Sequence, residues 1–483
     1  MKIKMPNHFI TFKVIVVFIV INTLSGVAQA NTAKSTTVVI TGATVIDIDT
    51  GVKTVMDIVI KNDRISTLIP HNTTQQSDTI SLGATVIDAR GQYAIPGLWD
   101  MHVHLTFVPE LEDRILPLFI ANGVTSVRDM GGPLDDIMAF HQRANQPLTI
   151  TPQRWLAGPL VDGSPPRFDG KRLKPAMSMA VDTPEEAIAL VDKLAEAGVH
   201  LIKPYAMLRP DVLAAVVKRA HYHGLPVDGH IPLRSTTLEA LAAGMDGVEH
   251  LTGMESDCTH NPEALRAERV AILNANADDV AKVYNTMNEA LANQVAKQCA
   301  KLIQTFVEQG TWHTPTLSVF SFITNPSVDA FQYLPRTIRE QRLQRIEGFK
   351  KQPVQVQYKN KHQWNMDTVR KMHRAGVEFL AGTDTAHLLI PGFSLHDELK
   401  LLVQAGLSPL DALQSATLNP AKFFGIDNEQ GSIEAGKIAD IVLLDADPLA
   451  DINHSRSINT VIAQGRVFDR QTLDKLLADL VEK

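Results

Sequence analysis

Residues 95–105 read IPGLWDMHVHL, an apolar run carrying two histidines separated by a single valine, His102 and His104. Side chains alternate along a strand, so both imidazoles point to the same side. Two imidazoles on one side can clamp a single metal ion. A short HxH pattern means little alone and needs partners elsewhere in the chain. Four are present. Lys203 ends the run HLIK, His230 ends LPVDGH, His250 ends GVEH and Asp384 ends VEFLAGTD. Each is a metal-capable or metal-bridging group at the C-terminal end of a strand-like run. Five such sites make coincidence a poor explanation.

Working outward, strand-like runs alternate with helical stretches at 95–105, 124–129, 154–160, 200–204, 226–230, 247–251, 313–317 and 379–383. Eight parallel strands joined by helices predict an α/β fold, a closed (β/α)8 TIM-type barrel whose strand ends converge on one mouth. The barrel is expected over 95–429. Two connections exceed a simple crossover and are expected to be helical insertions, at about 252–310 and 321–370. The second holds RTIREQRLQRIEGFKK, most of which reads as a solvated helix face. Insertions on an active face often serve as lids or substrate walls. Before the barrel, TTVVITGATVIDIDTG, VMDIVIKNDRISTLI and ATVIDARG alternate like short strands. GSIEAGKIADIVLLDADP and INTVIAQGRVFD repeat the pattern near the C-terminus. Residues 36–94 and 430–475 are therefore expected to form one composite β-sandwich.

Composition sets outer bounds. The chain is 45% hydrophobic and 20% charged with a formal charge of -7, enough apolar material for a large core. It has no basic stripe interleaved with aromatics, which argues against nucleic acid as a partner. Residues 1–30 place Lys2, Lys4 and Lys13 ahead of an apolar run at 14–21 and then Ala28-Gln29-Ala30. That order is a secretory signal peptide, with the mature chain starting near Asn31. The run is shorter than the roughly 20 residues of a membrane span. An exported protein, periplasmic or extracellular and without lasting membrane insertion, is expected. A small molecule is the expected partner, and homo-oligomerisation stays open. Cys258 and Cys299 are the only cysteines. An oxidising compartment permits a bridge between them, but sequence cannot show whether their Cα atoms come within about 7 Å.

Lys203 needs a chemical account, because an ammonium cannot bind a cation. Burial and nearby positive charge favour loss of its proton. The neutral amine could then take up carbon dioxide as a carbamate, whose two oxygens can bridge two metals. A Schiff-base role is the rival, but it leaves the histidines and Asp384 without a purpose. Tyr205, His313 and His387 are weaker candidates, as substrate contacts at the same mouth. Arg209 reads as a surface residue, and His221, His223, His362, His373 and His396 fall on predicted helices.

Together PGLWDMHVHL, the lysine of LIKPY, the histidines of DGHI and VEHL, AGTDTAH and the closing SPLDALQSATLNPAKFFGI and GSIEAGKIADIVLLDADP resemble the amidohydrolase superfamily. The likeness is closest to the branch of imidazolonepropionases and prolidase-like metal-dependent dipeptidases. The resemblance implies the paired β-sandwich pieces and a binuclear centre. In it His102, His104 and Asp384 hold one metal, His230 and His250 hold the other, and carboxylated Lys203 bridges them. Two departures stand out. Pro204-Tyr205-Ala206 follows the lysine where several dipeptidase relatives have a small, Gly-rich segment. Leu233 stands where mononuclear deaminases commonly carry a glutamate.

Two metals about 3.5 to 4 Å apart can hold one hydroxide and polarise a carbonyl. Asp384 is then expected to be the catalytic proton carrier. Zinc suits the ligand set, and manganese, iron or cobalt could replace it. The leading expectation is hydrolysis of a C–N amide bond in a dipeptide, an N-acyl amino acid or a related small amide. An ester, lactone or phosphotriester is the alternative at the same centre. A non-catalytic exported binding protein is the other, and retention of all six ligands argues against it.

Overall fold

Alternation decides where the chain ends pack. In the strand Thr37–Ile46, Val38 and Ile40 enter one apolar cluster and Val39 another, as do Ile58 and Ile60 against Val59 in Lys53–Lys61. The computed structural model describes residues 36–72, 83–146, 149–350, 355–385 and 388–481. The stretch read as a signal peptide and His387 lie outside them. Strands from both ends share one eight-stranded sheet. Its order is Arg466–Phe468, Ile458–Ala463, Ile441–Leu444, Tyr93–Pro96, Thr37–Ile46, Lys53–Lys61 and Arg64–Pro70, with Thr85–Asp88 also paired to Thr37–Ile46. Ile441 and Leu443 face the core of this sheet, whereas Val442 and Leu444 enter the larger core of the rest of the chain. One period-two strand thus welds the sheet to its neighbour.

The remainder is mixed α/β. Leu98–Val103 pairs in parallel with Val124–Asp129, which pairs with Gln153–Leu156. The amide of His200 donates to Leu156 at 2.8 Å. Parallel bridges join Ile202 to Val227, His313 to Phe379 and Val103 to Thr385. Asp228–Gly229, Gly247–Glu249 and Trp312–Thr314 pair side by side between them. The run of parallel neighbours therefore returns to its start.

Two expected runs are shorter than read. The run at 154–160 splits into Gln153–Leu156 and Leu160–Asp162. The run at 313–317 stops at Thr314, and a helix, Leu317–Thr324, begins there. The apolar stretch looked strand-like, but the buried carboxylate of Glu398 accepts from the amides of Leu317 and Ser318 at 2.9 and 2.7 Å. It thereby supplies the helix start with acceptors for its orphan donors.

Helices Met254–Asp257, Pro262–Ala275, Val280–Ala290 and Ala296–Gln309 fill the first long connection. Arg336–Lys350 and Gln355–Ala375 follow in the second. Cys258 and Cys299 form a disulfide across the first, with Cα atoms 4.5 Å apart and 41 residues of separation. Buried Lys361 pairs with Glu255 at 2.8 Å, fixing the second set of helices to the first.

Arg128 fills the interior of the ring. It is fully buried, its Nε donates to the Met101 carbonyl at 2.6 Å, and its terminal nitrogens pair with Asp228 and Glu249 and reach Thr314 Oγ1 at 3.1 Å. Removing one partner of a buried pair strands the other charges. Arg128→Met should lower unfolding free energy by about 3 to 5 kcal/mol in urea titration, far more than an exposed arginine would. Reducing the disulfide should cost about 2 to 4 kcal/mol in the same assay, because the closed loop restricts the unfolded chain.

Candidate metal centre

All six residues singled out as metal ligands line one cavity of about 350 Å³. They arrive from strand ends and the turns just beyond. His102 belongs to Leu98–Val103 and His104 follows it directly. His250 follows Gly247–Glu249, and His230 follows Asp228–Gly229. His102 Nε2 lies 3.4 Å from Asp384 Oδ1 and 3.2 Å from Lys203 Nζ, and His104 Nε2 lies 3.3 Å from the same oxygen. Ring centroids are 4.9 Å apart for His102 and His250, and 4.7 Å for His230 and His250. Ligand atoms of His102, His250 and Asp384 all fall within 4.8 Å of one another.

Hydrogen bonds on the far side of the rings decide what the cavity sees. His102 Nδ1 is held by the Glu249 carboxylate, and His104 Nδ1 donates to the Gly131 carbonyl at 2.8 Å. His250 Nδ1 bonds Thr316 Oγ1 at 2.5 Å. A neutral imidazole carries one proton, so donation through Nδ1 leaves the Nε2 lone pair of His102 and His104 turned to the cavity. Burial, reinforced by Lys203, holds the His102 pKa well below its ordinary value and keeps the ring neutral. Burial likewise lowers the Lys203 pKa, although Glu249 and Asp384 oppose it. Asp384 resists the upward push of burial because the surrounding imidazoles, His102 foremost, hold it well below the usual carboxylate range. This donor set of neutral imidazoles, an ionised carboxylate and a lysine of lowered pKa fits divalent metal.

Backbone strain gathers at the same place. His250 and Asp384 adopt positive φ of 59° and 58°, and Thr316 has 46°. Non-glycine residues rarely occupy this region, and each instance costs on the order of 1 to 3 kcal/mol. Gly382 meets a different demand: a Cβ there would come within 2.8 Å of the His102 Cβ.

Tyr205 reaches the cavity and lies 4.4 Å from the His230 ring between centroids. Burial raises its pKa well above 10, so its hydroxyl keeps a proton to donate. His313 does not reach the cavity. It is fully buried, set edge-on against Phe306 and Phe379 at 5.8 and 5.9 Å, with neither ring nitrogen hydrogen-bonded. The neighbouring Thr314 faces Arg128 inside the ring, so strand alternation turns His313 outward. His387 is outside the described residues. Arg209 pairs with Asp211 on the surface.

Sequence reasoning passed over Glu249, Arg128, Asp228 and Thr316, which orient the ligands. A signal was available. Charges inside apolar strand runs, such as SVRD, VDGH and GVEH, must be paired if buried. Asp100 is another: its carboxylate accepts from Thr383 N and Oγ1 at 3.0 and 2.7 Å, tying the first run to the last. Two further lining residues, Lys174 and Arg345, bring positive charge to the cavity, Arg345 from the helix Arg336–Lys350.

Known proteins share these features to different extents. An adenine deaminase from Paracoccus denitrificans is 38% identical over 103 residues, 21% of this chain and 16% of that enzyme. An imidazolonepropionase from Thermoplasma volcanium is 36% identical over 88 residues, 17% of this chain and 21% of that one. The chain thus spans less than a quarter of the length of either curated relative. A solved structure, a putative prolidase from Bifidobacterium longum, superposes with a TM-score of 0.66 over 92% of this chain and 99% of that one, at 23% identity. That likeness shows a shared fold. The sequence model of the amidohydrolase family, a TIM-barrel family, matches residues 93–468, a span that holds all six metal-capable residues of the cavity. The chain belongs to the amidohydrolase family.

Proposed function

We propose that this protein is a binuclear metal-dependent hydrolase that cleaves a C–N amide bond in a small carboxylate-bearing substrate, a dipeptide or an N-acyl amino acid. The reading treats the ring of parallel runs as a (β/α)8 barrel with the site at its mouth. The observation that carries it is one cavity lined by four imidazoles, a carboxylate and a lysine, with ring lone pairs turned inward by hydrogen bonds on the opposite side. His102, His104 and Asp384 would hold one metal, and His230 and His250 the other. Lys203 would stand between them as a carbamate, formed when its neutral amine nitrogen bonds the carbon of carbon dioxide and loses a proton. Bound divalent metals, with zinc the best fit, acidify water and polarise a carbonyl.

The chain's own residues do the rest. Asp384, kept ionised, is placed to take a proton from the attacking water and deliver it to the leaving nitrogen. The Tyr205 hydroxyl, kept protonated, can donate to the carbonyl oxygen. Phe107, Phe168 and Met177 give the cavity apolar walls. Lys174 and Arg345 offer cations to a substrate carboxylate, and neither has an ion-pair partner among the described residues. Apart from Asp384, no acid among the described residues lines the cavity. Such a lining favours an anionic substrate over a neutral one.

Export is part of the same proposal. It rests on the order of features in residues 1–30, and the Cys258–Cys299 disulfide suits an oxidising compartment.

Two experiments test this function. His102→Ala, His230→Ala and Lys203→Arg should each lose bound metal, measured by elemental analysis, and at least about 100-fold in kcat/KM on amide substrates. Lys203→Glu should keep part of the metal, because a carboxylate imitates the carbamate in part. Full occupancy by two metals with normal turnover in Lys203→Arg would overturn the bridge. Separately, Arg345→Met should raise KM for N-acyl amino acids about tenfold or more while leaving kcat close to normal. The corresponding N-acyl amides, which lack the carboxylate, should show no such rise.

A further inference from the structure

A second cavity, about 520 Å³, lies where the helix Leu134–Ala144 and the strand Gln153–Leu156 meet the last strands of the eight-stranded sheet. It shares no lining residue with the metal centre. Arg154 enters it near the start of its strand, whereas the metal ligands cluster at strand C-terminal ends, so the two cavities lie toward opposite ends of the ring. Among the described residues its lining holds two guanidiniums, Arg154 and Arg466, and two imidazoles, His141 and His200, but no aspartate or glutamate.

Arg154 is the telling residue. Only 7% of its surface is exposed, yet no carboxylate pairs with it. Its terminal nitrogens bond neutral oxygens alone, those of Thr151, the Pro152 carbonyl and Asn145, and its Nε has no partner. Burial by itself draws its pKa down to about 10. A buried cation without a counter-charge is costly, and an anion in the adjoining space would remove that cost. Two imidazoles, His141 and His200, line the same space. His141 Nδ1 is buried without a partner. His200 Nδ1 accepts from the Leu156 amide at 3.0 Å, which puts the proton of the neutral ring on Nε2. Trp155 and Phe468 add aromatic wall, and the volume falls within the range of small-molecule sites.

We propose that this cavity is a binding site for a small molecule bearing an oxyanion, phosphate or carboxylate. The oxyanion sits against Arg154 and His141, and the carbon frame lies along Trp155. Because the lining joins the ring to the sheet, occupancy stabilises the folded chain.

Titration calorimetry with inorganic phosphate on the metal-loaded protein tests the site, since phosphate can also bind metals. The expected result is a binding event that persists in His230→Ala and weakens at least about tenfold in Arg154→Met and in His141→Phe. Phenyl phosphate should bind more tightly than inorganic phosphate, and a benzoate arm separates carboxylate from phosphate preference. Should Arg154→Met fail to fold, His141→Phe decides. Phosphate binding that vanishes in His230→Ala, or that both cavity substitutions leave unchanged, overturns the proposal.

Discussion

The structure turns on the pairing of Arg128 with two buried carboxylates. Asp228 and Glu249 project into a ring interior that water does not reach, where an unpartnered carboxyl would be costly. One guanidinium serves both. It also binds the Met101 carbonyl and Thr314, so a single side chain touches four runs besides its own. Planar, forked geometry makes this possible, and a lysine could not reproduce it. Glu249 then uses its second oxygen to hold His102. The interior of the fold and the first ligand of the candidate metal centre are therefore one connected electrostatic unit.

That coupling explains why the site tolerates strain. His250 and Asp384 hold backbone conformations that cost free energy, and Thr316 does the same while bonding His250. Such conformations persist where surrounding structure over-determines them. The ring supplies that rigidity below the cavity. Above it, the long connections reach the cavity: Arg345 comes from an insertion helix, and the buried Lys361–Glu255 pair and the disulfide brace the connections. Strand ends hold the candidate metal centre, while the long connections add Arg345 to its cavity.

Alternation along strands accounts for which histidines face the cavity. His102 and His104 share a face because they are two residues apart, and both line the cavity. The sequence leads one to expect the same outlook for His313, but in the short strand Trp312–Thr314 it is Thr314 that faces inward. A three-residue strand offers too little pattern to fix the inward parity from sequence. The neighbouring run misled for another reason. Leu317 begins a helix because Glu398, 81 residues away along the chain, accepts its amide. Local propensity carries no trace of such a distant acceptor.

The sequence by itself determined which metal-capable side chains end the apolar runs, and the mixed α/β pattern. Metal-capable side chains at the ends of apolar runs, and period-two stretches at both termini, are local features that need no three-dimensional information. Only the tertiary structure decided how those groups are oriented and what surrounds them. The hydrogen bonds to Glu249 and Gly131 that present the histidines, the Arg128 pairing, the arrival of Arg345 at the cavity and the closure of Cys258 on Cys299 all join residues far apart in the chain. Each depends on distances that packing sets. A residue's chemistry is written in its identity, but its partner is written in the fold.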